Sequence, residues 1–146
     1  MASNTSRSDH ADLIIPDLYA PDVLSAVRWL QEHLPFSDEY LAQLIEANPE
    51  LFSDWKRGAQ ALTSSQMETL DNLSIAINRL LSFYGFRRDL IVSVLEFQFD
   101  SDKVQRSTYT PPWLGTSLKD YVLGHGAKGI AEVDSWVQKI KSAKSL

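Results

Sequence analysis

Three histidines and no cysteines are the sparse start for any chemistry in this 146-residue chain. Without cysteine there is no disulfide, no thiolate metal site and no thiol nucleophile. His10, His33 and His125 lack the i, i+4 partners of a zinc-binding helix, and no HExxH occurs. Gly124-His125-Gly126-Ala127-Lys128-Gly129 spells GxGxxG. A dinucleotide site would need a buried strand before that run and an acidic residue about 20 positions after it. SLKDYVL precedes it and has a helical pattern, and only 17 residues follow Gly129. The run is therefore expected to be a glycine turn between two helices. GxSxG and the phosphate-binding GxxxxGK are both absent. Aspartates and glutamates are numerous, but no pair is placed as a general acid and base. The expectation is a protein that is not an enzyme and has no metal and no cofactor.

The net charge of −5 hides an asymmetry. Residues 1–73 carry twelve acids against four bases, and residues 74–146 carry seven against ten. Nucleic-acid affinity rests largely on Lys and Arg displacing phosphate counterions, so the N-terminal half is a poor general phosphate binder. No apolar run approaches the roughly 20 residues of a membrane span. The polar start MASNTSRSDHADL has no secretory signal pattern. A soluble, cytoplasmic protein is expected.

The positioning elements all have helical period. Residues 1–19 read as a flexible tail, with Leu13, Ile14 and Ile15 able to dock on a core or a partner. Val23, Ala26/Val27, Leu30 and Leu34 mark a helix over about 22–34, ended by Pro35. Ser37 caps a helix over about 38–46, and Pro49 opens a third that Gly58 stops. Thr63-x-x-Gln66 is a capping box. It opens a long helix to Tyr84, stopped by Gly85, expected to be the longest. Another helix spans Arg87–Phe97. Residues 99–113 read as a loop. Ser117 caps a short helix, and Ile130, Val133, Val137 and Ile140 define a last one, with a frayed basic end from Lys141. The fold class is all-α. The organisation is a tail (1–19), a helix-turn-helix-like unit (20–62), a long helix with dimerisation helices (63–98) and a small C-terminal module (99–146).

Residues 37–58, SDEYLAQLIEANPELFSDWKRG, place Leu41, Ala42, Ile45, Leu51 and Phe52 so that two short helices share a core. The stretch resembles Cro/repressor-type (Xre-like) helix-turn-helix domains, whose second helix commonly ends in a Trp-basic-basic-Gly run like Trp55-Lys56-Arg57-Gly58. The resemblance implies that the second helix enters the major groove. Asn48, Ser53, Lys56 and Arg57 would be its DNA contacts, with Glu50 and Asp54 on the same face. Two features depart from the pattern. Glu46 stands where the turn glycine is usual and is expected to be accommodated in a helical conformation. Glu50 and Asp54 stand where neutral or basic residues are expected, and they face phosphates badly. Trp55 is expected in the core.

From Tyr109 the chain reads YTPPWLGTSLKDYVLGHGAKGIAEVDSWVQKI. The order of Trp-Leu-Gly, Ser-Leu-x-x-Tyr-Val, glycine turn and amphipathic helix resembles the C-terminal toxin-binding domain of the Xre/MbcA/ParS antitoxins. Thr116 and Ser117 replace the second glycine and the proline of that family's stretch. The resemblance implies an antitoxin partnered with a RES-type toxin, an NAD-consuming enzyme whose active site the C-terminal region covers. It also implies a homodimer and possible autorepression through operator DNA. Trp113, Leu114, Tyr121, His125, Lys128 and Trp136 are the expected partner-binding residues. The alternatives are a helix-turn-helix transcription regulator without a toxin partner, and a helical adaptor that has lost DNA binding.

Overall fold

The computed structural model describes residues 13–14, 22–98 and 110–145. Among the described residues it is all-helical, apart from one isolated bridge between Leu13 and Arg87. The helices are α1 (Val23–His33), α2 (Asp38–Leu44), α3 (Pro49–Lys56), α4 (Ser64–Phe83), α5 (Arg88–Glu96) and α6 (Leu118–Ser145). Their starts follow local chemistry. Asp22, Ser37, Asn48 and Thr63 each accept a first-turn backbone N–H, and the Thr63–Gln66 box is complete in both directions. Each such cap satisfies a donor that the helix itself leaves unpaired.

Helix ends are closed with equal economy. At Gly58 and Gly85 the chain turns left-handed, and the next amide reaches back to the carbonyl five residues earlier: Ala59 to Asp54 (2.8 Å) and Phe86 to Leu81 (2.7 Å). The end of α2 is built the same way, with Ala47 N–H donating to Ala42 (2.9 Å), but its left-handed residue is Glu46 at φ 58°. The expected helical conformation of Glu46 is thus of the left-handed kind, where a Cβ crowds the following carbonyl. Hydrogen bonds on both sides hold it there.

The longest unbroken helix is α4, as its capping box and apolar period indicate. α6 is 28 residues by backbone hydrogen bonding but breaks at Gly126 (φ 62°, ψ −139°). Leu70, Leu73, Ile77, Leu80 and Leu81 of α4 are all buried, and α4 packs chiefly on α6 and α1. The described buried side chains form one cluster running from Val27 to Val137. The segments that the sequence divides at 62/63 and 98/99 therefore share a single core. Tyr40 of α2 reinforces this by donating its hydroxyl to the Lys119 carbonyl of α6 (2.6 Å).

Both chain ends are tied to the fold where they are described, the first at the apolar patch expected to dock and the second beyond the point expected to fray. Ile14 N–H donates to Phe86 O (2.9 Å) and its side chain packs on the core, so the tail is pinned at that point. The final helix continues to Ser145, with no break at Lys141. The rest of the tail and the loop over 99–109 lie outside the described residues.

Glu46 provides a direct test of these helix ends. Replacing it by glycine removes the left-handed penalty of roughly 1–2 kcal/mol but frees the unfolded chain, so a net gain of about 1 kcal/mol or less is expected in denaturant melts. Glu46→Val, with its branched Cβ, is expected to lose stability in the same assay.

Candidate partner-binding surfaces

Two surfaces carry the residues singled out in the sequence. The first is the α2–turn–α3 unit, where α1 locks both helices. Lys56 at the end of α3 pairs with Asp38 at the start of α2 (2.9 Å) and bonds Gln31 of α1 (2.6 Å). Gln31 in turn donates to Asp38 (2.7 Å), and Arg28 donates to the Lys56 carbonyl (2.9 Å). That carbonyl sits at the negative end of α3, which suits a cation. Burial alone would raise the Asp38 carboxyl. Hydrogen bonds from Gln31 and Lys56, with the Lys56 charge, outweigh it and hold the group below its ordinary value.

This geometry revises the proposed DNA contacts. Asn48 caps α3, its Oδ1 accepting from Leu51 N–H (2.7 Å), so it is not a free reader of bases. Lys56 is held by Asp38 and Gln31 instead of projecting towards phosphate. Arg57 is exposed but pairs with Asp54. Ser53 is half-buried, and Glu50 points its charge to solvent. Trp55 is buried beside Phe52, as expected (ring centroids 5.6 Å apart).

The second surface is the hairpin made by the two arms of α6. Ser117 Oγ caps the first arm by accepting from Asp120 N–H (3.1 Å). Gly126 supplies the left-handed turn. Gly129 supplies the close approach: a Cβ there would lie 2.8 Å from His125 Cβ and 3.4 Å from the Tyr121 carbonyl oxygen and the Val122 Cα. Gly124 faces open space. The GxGxxG run is thus a helical hairpin turn, with no strand before it. Tyr121 donates its hydroxyl to Glu132 across the arms (2.9 Å). Burial, then that bond and the Glu132 charge, push the phenol above its ordinary value. His125 stacks on Tyr121 (centroids 4.2 Å apart), with Nδ1 2.9 Å from the Tyr121 carbonyl.

The expected partner residues divide accordingly. Trp113 is a core residue and not a surface anchor. It is 1% exposed, packed edge-on against Trp136 at 5.0 Å, and its Nε1 finds no acceptor among the described residues. Leu114, Tyr121 and Trp136 are half-buried, while His125 and Lys128 are exposed. An open groove of about 410 Å³ lies beside Trp136. Lys128, Glu132, Ser135 and Lys139 of α6 line it, together with Thr110 and Pro112. Lys139 was not singled out in the sequence, although it follows Lys128, Glu132 and Trp136 at helical spacing, opposite the Ile130–Val133–Val137 core stripe. Among the described residues no group of three His, Asp or Glu side chains is placed to hold a metal, and no helix is long and apolar enough to cross a membrane.

No protein-family model matches this chain, and no curated protein matches it.

Two measurements test these two constructions. The depressed Asp38 carboxyl contributes stability that is fully present above its ordinary value of 3.8 and is lost as pH falls through its lower folded value. Urea midpoints from about pH 6 down to about pH 2 should therefore fall, with Asp38→Asn showing a shallower fall. In the hairpin, Gly129→Ala should cost about 1–3 kcal/mol from overpacking, whereas Gly124→Ala should be neutral or stabilising by up to about 1 kcal/mol. Equal losses at both glycines would contradict the packing described.

Proposed function

We propose that this chain is an antitoxin: a cytoplasmic interaction protein, not an enzyme, that binds and inhibits a RES-type, NAD-consuming toxin. The observation that carries this reading is the glycine-locked hairpin of α6. It holds Tyr121, His125, Lys128 and Trp136 on one small rigid module that shares a core with a helix-turn-helix unit. That order of parts is the one the sequence resemblance rests on. Partially exposed aromatics beside cations are the usual material of interface anchors. In this reading the chain works as a homodimer, and its hairpin covers the toxin's active-site entrance.

Operator binding takes second place. Lys56 and Arg57, the cations that would meet phosphate, are each paired with a carboxylate of the same unit. Such pairs weaken the counterion release that drives DNA affinity. A transcription regulator without a toxin partner is correspondingly disfavoured.

The test is co-expression with the RES-type reading frame adjoining this gene. The wild-type chain should restore growth, preserve cellular NAD and co-purify with the toxin. Tyr121→Ala is expected to weaken the purified complex by about 2 kcal/mol and also to lower the thermal midpoint through loss of its packing and its bond to Glu132. Tyr121→Phe, which loses only that bond, should keep most of the binding. The antitoxin reading fails if the wild-type chain neither binds the toxin nor protects NAD, or if no such reading frame adjoins the gene.

A further inference from the structure

Carboxylates or carbonyls occupy nearly every described cation. Lys56, Arg57, Arg79, Arg87 and Lys119 are in ion pairs, and Arg28 and Arg88 donate to backbone carbonyls. Lys141 is also engaged. Lys128 and Lys139 stand apart, exposed and with no hydrogen-bond or ion-pair partner among the described residues. Both line the same groove, and the half-buried Trp136 lies between them in sequence and against the same space. In a chain of net charge −5, two unpaired cations flanking an aromatic surface constitute a local reversal of sign.

We propose that this groove is a docking site for an acidic, apolar-centred segment of a partner protein. An apolar side chain packs on Trp136, and carboxylates on either side meet Lys128 and Lys139. This rests on the reading of the hairpin as the partner-binding module, and it adds the chemistry of what is bound. Spacing defines the ligand further. Eleven helical steps take Lys128 to Lys139, about 16.5 Å along the axis at 1.5 Å per residue. An extended peptide covers that in about five residues. The segment should therefore carry two acids roughly four to six residues apart with an apolar residue between them. Glu132 also lines the groove, already bonded to Tyr121. It opposes negative charge at the centre, which fits acids at the two ends and disfavours a nucleic-acid backbone with a charge at every residue.

Panning the full chain against a displayed library of random dodecapeptides tests this. The enriched peptides should share the acid–apolar–acid pattern. A synthetic consensus peptide should bind the Lys128→Glu/Lys139→Glu variant roughly tenfold more weakly or worse, and a peptide with lysines in place of its acids should regain affinity for that variant. Both positions are exposed, so an unchanged thermal midpoint confirms that the variant is folded. Enrichment without acidic bias, binding indifferent to the two lysines, or lysine-dependent binding of oligothymidylate alone would each overturn the proposal. The toxin assay separates it from its parent reading. If the variant inhibits the toxin as well as the wild type does, the groove proposal falls and the antitoxin reading stands. If the peptide binds through the lysines while no toxin is inhibited, the antitoxin reading falls and the groove stands.

Discussion

Everything in this molecule leans on the apolar stripe of α4. Leu70, Leu73, Ile77, Leu80 and Leu81 are fully buried, and α4 packs on both α6 and α1. Burial of side chains of this size contributes roughly 1.5–3 kcal/mol each. Short helices such as α2, α3 and α5 are marginal alone, so they persist because neighbours cover their apolar faces: α2 and α5 pack on α6, α5 also on α4, and α3 on α2. The edge-on aromatic run of Phe83, Trp136 and Trp113 extends the same core to the hairpin. A disturbance in α4 should therefore reach both candidate surfaces at once.

Electrostatics add a second layer of order. The helix-turn-helix unit keeps its shape through Gln31, Asp38 and Lys56, and α4 is tied to α6 by Arg79 and Asp134 (2.5 Å). Lys119 lies over the Tyr40 ring (5.0 Å) and pairs with Glu96. Tyr40 is held far above its ordinary value by burial and by the charges of Asp120 and Glu96, so its hydroxyl stays a donor to α6. Using cations this way quiets the surface that resembles a DNA reader. It leaves positive charge on the C-terminal hairpin, where Lys128 and Lys139 have no partner among the described residues.

Much of this was legible in sequence because it is local. Caps act over three residues and helical period over four, so Ser37, Thr63–Gln66, Ser117 and the stop at Gly58 could be read directly. Trp55 was legible as core for the same reason: it shares a face with Phe52. Glu46 was legible as an anomaly, since the pattern wants glycine there, but its left-handed geometry required the Ala47–Ala42 hydrogen bond to be seen.

The amino-acid order alone thus determined an all-α chain, the capped starts and glycine stops of its helices, and the glycine hairpin near the C-terminus. The tertiary structure alone decided which of two tryptophans is buried and which cations are free. Trp113 lies in a Pro-rich stretch and Trp136 on an amphipathic helix, and the packing of Trp113 edge-on beneath Trp136 is what makes the first the buried one. Lys56 and Lys128 are both helical lysines, yet one meets Asp38 eighteen residues away and the other has no hydrogen-bond or ion-pair partner among the described residues. Arg79 and Asp134 pair across 55 residues. Such contacts depend on how helices cross, and helical period carries no information about crossing.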